Sequence, residues 1–517
     1  MTKLGWCDTC NVPILDGFNC GLCHHKSRPL YFTKTELKPI FGEEVSLYKK
    51  ILARKGVPLH ALLPNALLFY NVMGEVVVDG RKVFRLSFDR ETGDLTPKFF
   101  KDFVGTLPSF QGSSLSLTIA ANEPILRKKE SDALDFLGKT LRKYPHMPMA
   151  VSFSGGKDST VTLALTRLLR NEFDAIFLNT TVEFEETVSY VRDITRSWDI
   201  NLIETTPPHD FFQLCDDLGP PSTRMKWCCK TQKFGPQNIL INERYPDGVL
   251  VISGIRKVES NIRARFRKVQ RNKMIPKQIL AFPILDWTSL DVWLYLLWKN
   301  IPHNKMYDYG FTRIGCWPCP EKSLRDFKLV ETFRPDLSEK LGQMLRSYAS
   351  RSNIESPDSW IQSGSWRSRK TKWIKTTVCK SSQPCSLGDE MIYTFKCGPH
   401  LNRVKEFIKV FGKPILKNSM LRIQSPNIDI TLIGSKMRIK FNNPFVSSVF
   451  EKQLARALNC VGCGACVGAC DSNALRIEHG EIRIGEQCTG CLRCVVSNGI
   501  RMSCVSVNYK PEVLAIV

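Results

Sequence analysis

The 517-residue sequence lacks any apolar run long enough to cross a membrane, which takes about 20 consecutive apolar residues. Its best candidate, residues 292–298, is far shorter. The N-terminus also lacks the basic and then apolar segment of a secretion signal. These absences predict a cytoplasmic protein with no membrane partner.

Acidic residues are scarce relative to basic ones. The chain has 50 Asp and Glu residues and 73 Lys and Arg residues, which gives a net charge of +23. This excess favours anionic partners, although charge alone does not distinguish RNA from a nucleotide. Hydrophobic residues make up 43% of the chain, so a largely disordered protein is not expected, and the length suggests about three to four domains.

The 20 cysteines are not distributed as in a disulfide-stapled protein, because they cluster in pairs with metal-ligand spacing. Two CxxC pairs fall within the first 23 residues and predict a zinc ribbon over residues 1–27. Free buried cysteines are the alternative. The predicted zinc ligands are Cys7, Cys10, Cys20 and Cys23.

A glycine-rich hexapeptide at 154–159 follows the apolar run 149–153 and precedes a helical stretch at 160–169. A strand, a tight turn and a helix N-terminus direct backbone N–H groups at one point, which favours an anion. The glycine-to-lysine spacing excludes a Walker loop. The hexapeptide resembles the pyrophosphate loop of the adenine-nucleotide α-hydrolase superfamily, whose members bind ATP or a sulfonucleotide, and a plain strand-to-helix turn is the alternative. The predicted nucleotide-binding residues are Ser154, Gly155, Gly156, Lys157, Asp158 and Ser159.

Strand-like and helical segments alternate from 126 to 345, with apolar runs at 175–179, 201–205 and 249–253. This alternation predicts an α/β fold with a doubly wound parallel sheet. Ligands of such sheets bind at the carboxyl ends of the strands, where the hexapeptide would lie.

Three further segments carry weaker signals. Residues 28–125 predict a small α/β module, either RNA-binding or a packing or dimerisation unit. Residues 346–387 interleave tryptophans with basic residues, so they are either a contact for phosphates and bases or a surface connector. Residues 388–447 predict a second small α/β module, with strands at 428–433 and 437–441.

The last segment, 448–517, has the cysteine spacing of a two-cluster ferredoxin and predicts an α+β domain. The fourth cysteine of each ferredoxin run serves the other cluster, and zinc in cysteine pairs is the alternative. Asp471 stands where ferredoxins usually have proline. Crossed ligation predicts one 4Fe–4S cluster on Cys460, Cys463, Cys466 and Cys504, and another on Cys488, Cys491, Cys494 and Cys470.

Four motifs inside the nucleotide domain, at 222–230, 254–264, 286–293 and 313–320, resemble the sulfonucleotide reductases, which reduce phosphoadenylyl sulfate or adenylyl sulfate. In that family the hexapeptide holds the phosphosulfate, and planar arginine forks clamp the anionic groups. The resemblance implies nucleotide-binding roles for Arg256, Glu259 and Arg263. It also implies a 4Fe–4S cluster on Cys228, Cys229, Cys316 and Cys319, although zinc at this set is the alternative.

The catalytic thiol of the family lies in a Glu-Cys-Gly-Leu-His tail and forms an S-sulfocysteine. Residues 396–400 are the echo of that tail in this chain, and they suggest Cys397 as the nucleophile beside a catalytic Lys157. The echo differs at two positions and lies in another predicted module, so coincidence is the alternative.

Two functions follow from these features. The first is an iron–sulfur sulfonucleotide reductase that makes sulfite, with electrons from a low-potential donor entering through the ferredoxin-like domain. The second is an ATP-dependent tRNA sulfurtransferase with the same loop, for which the zinc ribbon, the basic connector and the net charge would provide a tRNA-binding surface. The motifs around Arg256 and Cys228 favour the reductase.

Overall fold

The computed structural model describes residues 4–30, 37–54, 56, 69–70, 74–89, 92–101, 112–368, 385–387, 390–395, 398–417, 419–470 and 472–495. Within these residues the chain forms five β-sheets, and the largest two have six strands each. None of the helices in this part of the chain combines the length and the apolar character needed to cross a bilayer.

The N-terminal region contains two small antiparallel sheets. The first has three strands and carries the predicted zinc ligands, and its last strand extends two residues past the predicted boundary at 27. The second has five strands and packs its apolar face on one helix through Tyr48, Leu52 and Phe84. The elements are β1 (Gly5–Cys7), β2 (Val12–Ile14), β3 (Arg28–Pro29), β4 (Lys38–Pro39), α1 (Gly42–Ala53), β5 (Phe69–Tyr70), β6 (Glu75–Val78), β7 (Arg81–Phe88) and β8 (Leu95–Phe99).

One long helix, α2 (Leu115–Lys143), joins the ribbon to the central domain and crosses the predicted domain boundary at 125. Near its start the side chain of Asn122 accepts a hydrogen bond from Leu15 N–H at 2.8 Å and donates one to the Pro13 carbonyl at 2.8 Å. Further along, Leu126 and Leu137 are buried in the core of the central domain. The helix therefore fixes the ribbon on the central sheet.

The central sheet has the order β11-β10-β9-β12-β14-β13, with five parallel strands and an antiparallel edge strand. It confirms the predicted doubly wound parallel sheet, and the run at 249–253 is a strand with the predicted bounds. Its elements are β9 (Met149–Ser152), α3 (Lys157–Arg167), β10 (Asp174–Leu178), α4 (Glu185–Ser197), β11 (Asn201–Thr205), α5 (Phe211–Leu218), α6 (Trp227–Cys229), α7 (Gly235–Arg244), β12 (Val249–Ser253), β13 (Val269–Arg271), β14 (Gln278–Ala281), α8 (Ser289–Trp298), α9 (Leu324–Phe333) and α10 (Pro335–Arg351).

Alternate residues of the central strands point to opposite faces, as strand geometry requires. Val151 and Ile252 pack on the side that holds α2, α3 and α8, whereas Ala150 and Val251 pack with residues of α7. The chain leaves β9 towards β10 on one side, while β12 pairs with β9 on the other. The turn after β9 therefore lies at the switch point of the sheet, where ligands of such folds bind.

The described part of the predicted connector, residues 346–368, is largely helical. The predicted boundary at 345 falls inside α10, and α11 (Pro357–Gln362) follows. Trp366 is 3% exposed in the apolar cluster that contains Phe211 and Leu329, and the half-buried Trp360 stacks on Tyr348. Both rings pack within the protein because the helices cover them. Trp373 lies outside the described residues.

The second six-stranded sheet is antiparallel, with the order β15-β16-β20-β19-β18-β17. Two helices cover one of its faces through Phe407, Phe450 and Leu454. The second of these helices crosses the predicted boundary at 447 and leads directly into the C-terminal cysteines. The elements are β15 (Cys385–Leu387), β16 (Glu390–Thr394), α12 (Gly398–Phe407), β17 (Ile415–Lys417), β18 (Met420–Ser425), β19 (Ile428–Ile433), β20 (Lys436–Phe441), α13 (Pro444–Asn459), β21 (Leu475–Glu478) and β22 (Glu481–Ile484).

Candidate nucleotide site and cysteine sets

The predicted nucleotide loop forms the turn between β9 and α3. Gly155 has a φ of +71°, and a β-carbon there would lie 2.8 Å from the Val191 side chain of α4, so this position requires glycine. The Ser159 hydroxyl donates to the Gly156 carbonyl at 2.8 Å and accepts from Ser154 N–H at 3.2 Å. These bonds fold the loop around the N-terminus of α3, which is favourable for an anion.

Two side chains from a distant segment support the same loop. The Asn304 amide donates to the Gly155 carbonyl at 3.3 Å and to the Thr187 hydroxyl at 3.0 Å. The Tyr307 hydroxyl accepts from the Lys157 backbone N–H at 2.9 Å, and burial raises the pKa of Tyr307. Sequence reasoning missed Tyr307. The only available signal was its position next to the family-like motif, because the contact joins residues 150 positions apart.

A buried charge network lies beside the loop. Asp158 pairs with Lys157 at 2.7 Å and accepts from Arg256 Nε at 2.6 Å. Burial alone would raise the pKa of Asp158, but the charges of Arg256 and Lys157 lower it to about 2. Gly254 allows this approach, since a β-carbon there would lie 2.5 Å from the Asp158 carbonyl. The carboxylate therefore stays ionised and holds both cations at the loop.

The other predicted binding residues join the same network. Glu259 accepts from the Arg256 backbone N–H at 3.0 Å, pairs with Arg263, and lies 3.9 Å from Arg313. The structure thus brings the hexapeptide, Arg256, Glu259 and Arg263 together. The site contains four cations and two carboxylates, and its net charge is therefore positive, which suits a phosphosulfate or a polyphosphate. The cations are Lys157, Arg256, Arg263 and Arg313, and the carboxylates are Asp158 and Glu259.

The adjacent cysteines of the inner set lie in an unusual stretch of backbone. Cys228 and Cys229 end the short helix α6, and a π-helical turn, Lys230–Phe234, follows at once. Such turns are rare and often occur at functional sites. A hydrogen bond from Cys228 lowers the pKa of Cys229 to about 6. Cys229 is thereby favoured as a thiolate, the form that binds metal.

The second half of the inner set lies across from the first. Cys316 and Cys319 are close enough to Cys228 to raise its pKa, after the larger effects of Cys229 and burial. Cys316 lies 3.5 Å from Glu183 and 3.4 Å from the Thr180 hydroxyl, and burial followed by the charge of Glu183 raises its pKa to about 12. The structure therefore brings together all four cysteines that the family resemblance implies.

The connector fastens the two segments that carry the inner set. The Arg367 side chain donates to the Pro320 carbonyl at 2.9 Å and also to the Lys322 carbonyl. Its own carbonyl accepts from Thr223 N–H at 2.8 Å and from the Thr223 hydroxyl at 3.1 Å. Arg367 thus holds together the segment that precedes Cys228 and the segment that follows Cys319. The composition of the connector did not indicate this role.

The N-terminal set converges most tightly. The sulfur atoms of Cys7, Cys10, Cys20 and Cys23 all lie within 4.8 Å of one another. In the described part of the chain, this is the one group of three or more Cys, His, Asp or Glu side chains whose ligand atoms converge so closely. Cys10 N–H donates to the Cys7 sulfur at 3.4 Å, as in a zinc knuckle. Four thiolates at one point fit a single tetrahedral ion, whereas a four-iron cube holds its thiolates further apart.

The described C-terminal cysteines differ in exposure. Cys463 and Cys466 are each 8% exposed, whereas Cys491 is exposed. Cys470 and Cys488 are close enough to Cys494 to raise its pKa, after burial. This placement agrees with the crossed ligation, which stays a prediction. Cys397, Cys504 and residues 496–517 lie outside the described residues.

Comparison with known proteins identifies the central domain. Residues 148–322 match the family described as "Phosphoadenosine phosphosulfate reductase domain". The chain contains a phosphoadenosine phosphosulfate reductase domain. This reductase domain runs from β9 to just beyond Cys319, so it includes the nucleotide loop and the inner cysteine set but neither the ribbon nor the C-terminal cysteines.

Individual relatives cover different parts of the chain. An uncharacterized protein from Methanocaldococcus jannaschii is 40% identical over 255 residues, which are 49% of this chain and 52% of the relative, so the chain spans about half the length of that protein. An adenosine 5'-phosphosulfate reductase from Geobacillus is 25% identical over 195 residues, 37% of this chain and 80% of the relative. A solved phosphoadenylyl-sulfate reductase from Candida auris aligns at 17% identity with a TM-score of 0.31, over 38% of this chain and 95% of that chain.

Proposed function

We propose that the chain reduces a sulfonucleotide, either phosphoadenylyl sulfate or adenylyl sulfate, to sulfite. The observation that carries this proposal is the buried network of Lys157, Asp158 and Arg256 at the switch point of a reductase-family domain. The same domain holds the inner cysteine set, which a nucleotide-binding site alone would not need.

The chain's own residues bind and orient the phosphosulfate. The N-terminus of α3 and the Lys157 ammonium face the anion, while Arg256 and Arg263 approach from the segment after β12. Asp158 keeps Arg256 in place, because its low pKa leaves the carboxylate charged at neutral pH. Together they stabilise the negative charge that moves to the 5′-phosphate of the leaving nucleotide as the sulfur–oxygen bond breaks.

Cys397 is the proposed nucleophile, on the resemblance of residues 396–400 alone. Its thiolate would bond to the sulfate sulfur while the bond from that sulfur to the phosphate oxygen breaks. AMP from adenylyl sulfate, or adenosine 3′,5′-bisphosphate from phosphoadenylyl sulfate, would leave with the electron pair. Two electrons then cleave the new sulfur–sulfur bond, which releases sulfite and restores the thiolate. The C-terminal cysteines would hold the clusters that pass on those electrons from a low-potential donor.

The three kinds of cysteine set suit different metals. The N-terminal four-thiolate set would hold zinc, which is structural in such ribbons. Cys228, Cys229, Cys316 and Cys319 would hold one four-iron cluster, and the C-terminal cysteines would hold two. When bound, an iron–sulfur cluster supplies one-electron transfer at a potential set by its surroundings.

The direct test is sulfite formation by anaerobically purified, cluster-loaded protein with adenylyl sulfate or phosphoadenylyl sulfate. Lys157→Ala and Arg256→Ala are expected to lose sulfite release, while Lys139→Ala and Arg170→Ala, on exposed surfaces, keep it. Unchanged release in both site variants contradicts the proposed site. The preferred nucleotide in the same assay decides whether the 3′-phosphate is required.

ATP-dependent tRNA sulfurtransfer is the second candidate. It is favoured by five exposed cations in the segment that follows Arg263, namely Arg265, Arg267, Lys268, Arg271 and Lys273. Exposed cations suit RNA phosphates, and binding through them would weaken steeply with salt. Thiolated nucleoside or tRNA-dependent AMP release, without sulfite from a sulfonucleotide, would favour this candidate.

A further inference from the structure

The C-terminal cysteine module packs directly on the reductase domain at a seam lined by glycines. A β-carbon on Gly235, the first residue of α7, would overlap the carbonyl oxygen of Cys463. A β-carbon on Gly468 would overlap the Asn238 side chain, and one on Gly464 would lie 2.6 Å from Ile239. At Gly235 backbone therefore meets backbone, and at all three glycines the two domains approach more closely than a larger residue allows.

This seam continues the segment that carries the inner cysteine set. Only the π-helical turn Lys230–Phe234 separates Cys229 from Gly235. On the other side of the seam, Cys463 is buried with Phe234 and Met274 around it. Val461 also packs on the apolar cluster that includes Cys228 and Cys316. One turn of helix thus lies between the inner set and the first C-terminal run.

The second C-terminal group extends from the seam, where Cys470 lines a small cavity with Asn238 and Gly468, to the surface of the module. Cys491 is exposed, and Cys488 lines a surface cavity of about 620 Å³ together with Lys409 and Lys413. Cys463, by contrast, is 8% exposed. The second group therefore reaches solvent at Cys491, whereas Cys463 of the first group is buried against the reductase domain.

We propose that the two C-terminal groups have a fixed order, with Gly235 as the positioning residue. A cluster held by Cys470, Cys488, Cys491 and Cys494 would accept single electrons from the external low-potential donor. A cluster held by the group that includes Cys460, Cys463 and Cys466 would deliver them across the seam, two electrons for each sulfite released. This inference rests on the proposed sulfonucleotide reduction.

The test uses a matched pair of helical glycines in the full chain. Gly235 has helical φ and ψ of −62° and −60°, so Gly235→Ala keeps an allowed backbone conformation and adds a methyl group chiefly against the Cys463 carbonyl, with the Lys230 carbonyl at 3.0 Å. Gly138→Ala is the control, because a β-carbon there would have its nearest neighbour at 3.6 Å. Each protein is loaded with iron and sulfide, reduced with dithionite, freed of excess reductant and mixed with adenylyl sulfate. Reoxidation is followed by visible absorbance.

The Gly235→Ala protein is expected to reoxidise roughly tenfold or more slowly than wild type, as small misplacements of reacting groups cost large factors in rate. Its iron content and its sulfite formation with dithiothreitol, which bypasses the module, should match wild type. Reoxidation of Gly235→Ala at the wild-type rate overturns the proposal. An equal loss of activity with dithionite and with dithiothreitol also overturns it. If Gly235→Ala fails to fold, Gly468→Ala gives the same test, since it presses on the movable Asn238 side chain.

The order of the groups has its own readout in electron paramagnetic resonance. Cys463→Ser should leave a dithionite-reduced signal that adenylyl sulfate does not remove. Cys491→Ser should leave a signal that the nucleotide does remove, because dithionite can reduce the inner group directly. The reverse pattern overturns the order. Absence of sulfite from wild type with either reductant would instead refute the proposed function, so the two failures are distinguishable.

Discussion

The N-terminal cysteine set and the reductase-domain site are built in opposite ways. The ribbon takes its four thiols from residues 7–23, and these converge within 4.8 Å of one another. The reductase site joins Asp158 to Arg256 and Lys157 to Tyr307, across 98 and 150 positions of sequence. A motif whose residues are close in sequence can unfold while the rest of the protein stays folded. A site whose residues are distant in sequence keeps its geometry only while the whole sheet is intact.

The largest effect is expected from loss of the zinc ion that we propose for the ribbon. Structural zinc contributes roughly 10–16 kcal/mol of binding free energy in small zinc domains, so the ribbon should unfold without it. Cys23→Ser should lose one zinc per chain by elemental analysis and lose amide protection over residues 4–30. The central sheet should keep its protection, because α2 retains Leu126 and Leu137 in the main core. Loss of protection in both regions would contradict the separation.

A smaller effect is expected at the centre of the assembled site. Asp158→Asn leaves Arg256, which is 2% exposed, without its carboxylate. Breaking a buried pair in this way costs about 3–5 kcal/mol of unfolding free energy. Asp193→Asn is the control, since that carboxylate is 68% exposed in a surface pair. Denaturant unfolding measures both, and equal stabilities of the two variants would show that the network is not a stabilising one.

The same carboxylate gives a pH dependence of about 2 kcal/mol, from a pKa that falls from 3.8 to about 2 on folding. A depressed pKa stabilises the fold above the unfolded value and loses this contribution as the pH falls through the folded value. The stability difference between wild type and Asp158→Asn should therefore shrink from about pH 4 to about pH 2. A difference that stays constant over this range would assign the effect of the substitution to packing.

Sequence reasoning succeeded where the signal is local or periodic. The strands around Val249–Ser253, the glycine turn at Gly155 and the ribbon cysteines all follow from short-range spacing and backbone geometry. It failed where tertiary packing decides. The tryptophans of the connector suggested nucleic-acid contact by composition, but Trp366 is buried because helices α9–α11 cover it.

The remaining misses have the same origin. Arg367 and Tyr307 act on backbone atoms of segments far away in sequence, and such contacts have no residue pattern of their own. The domain boundaries at 125, 345 and 447 fall within helices α2, α10 and α13, because composition changes along a helix that serves two modules. Local sequence predicts elements, whereas the sharing of elements between modules depends on the assembled fold.

The smallest expected effect is at Tyr307, which sequence reasoning missed. Tyr307→Phe keeps the ring packed on Trp293 at 4.8 Å and removes the acceptor for the Lys157 N–H. A neutral hydrogen bond is worth about 1 kcal/mol, so the KM for the sulfonucleotide should rise about fivefold.

Tyr309→Phe is the matched control, because its half-buried ring stacks on Phe333 away from the loop. A fall in kcat with unchanged KM would place Tyr307 in the reacting step. A change in KM alone places it in ground-state binding, where the assembled site depends on a contact across 150 positions. Equal KM values for the two variants would mean that the hexapeptide holds its shape through its local serine bonds, as the ribbon holds its own.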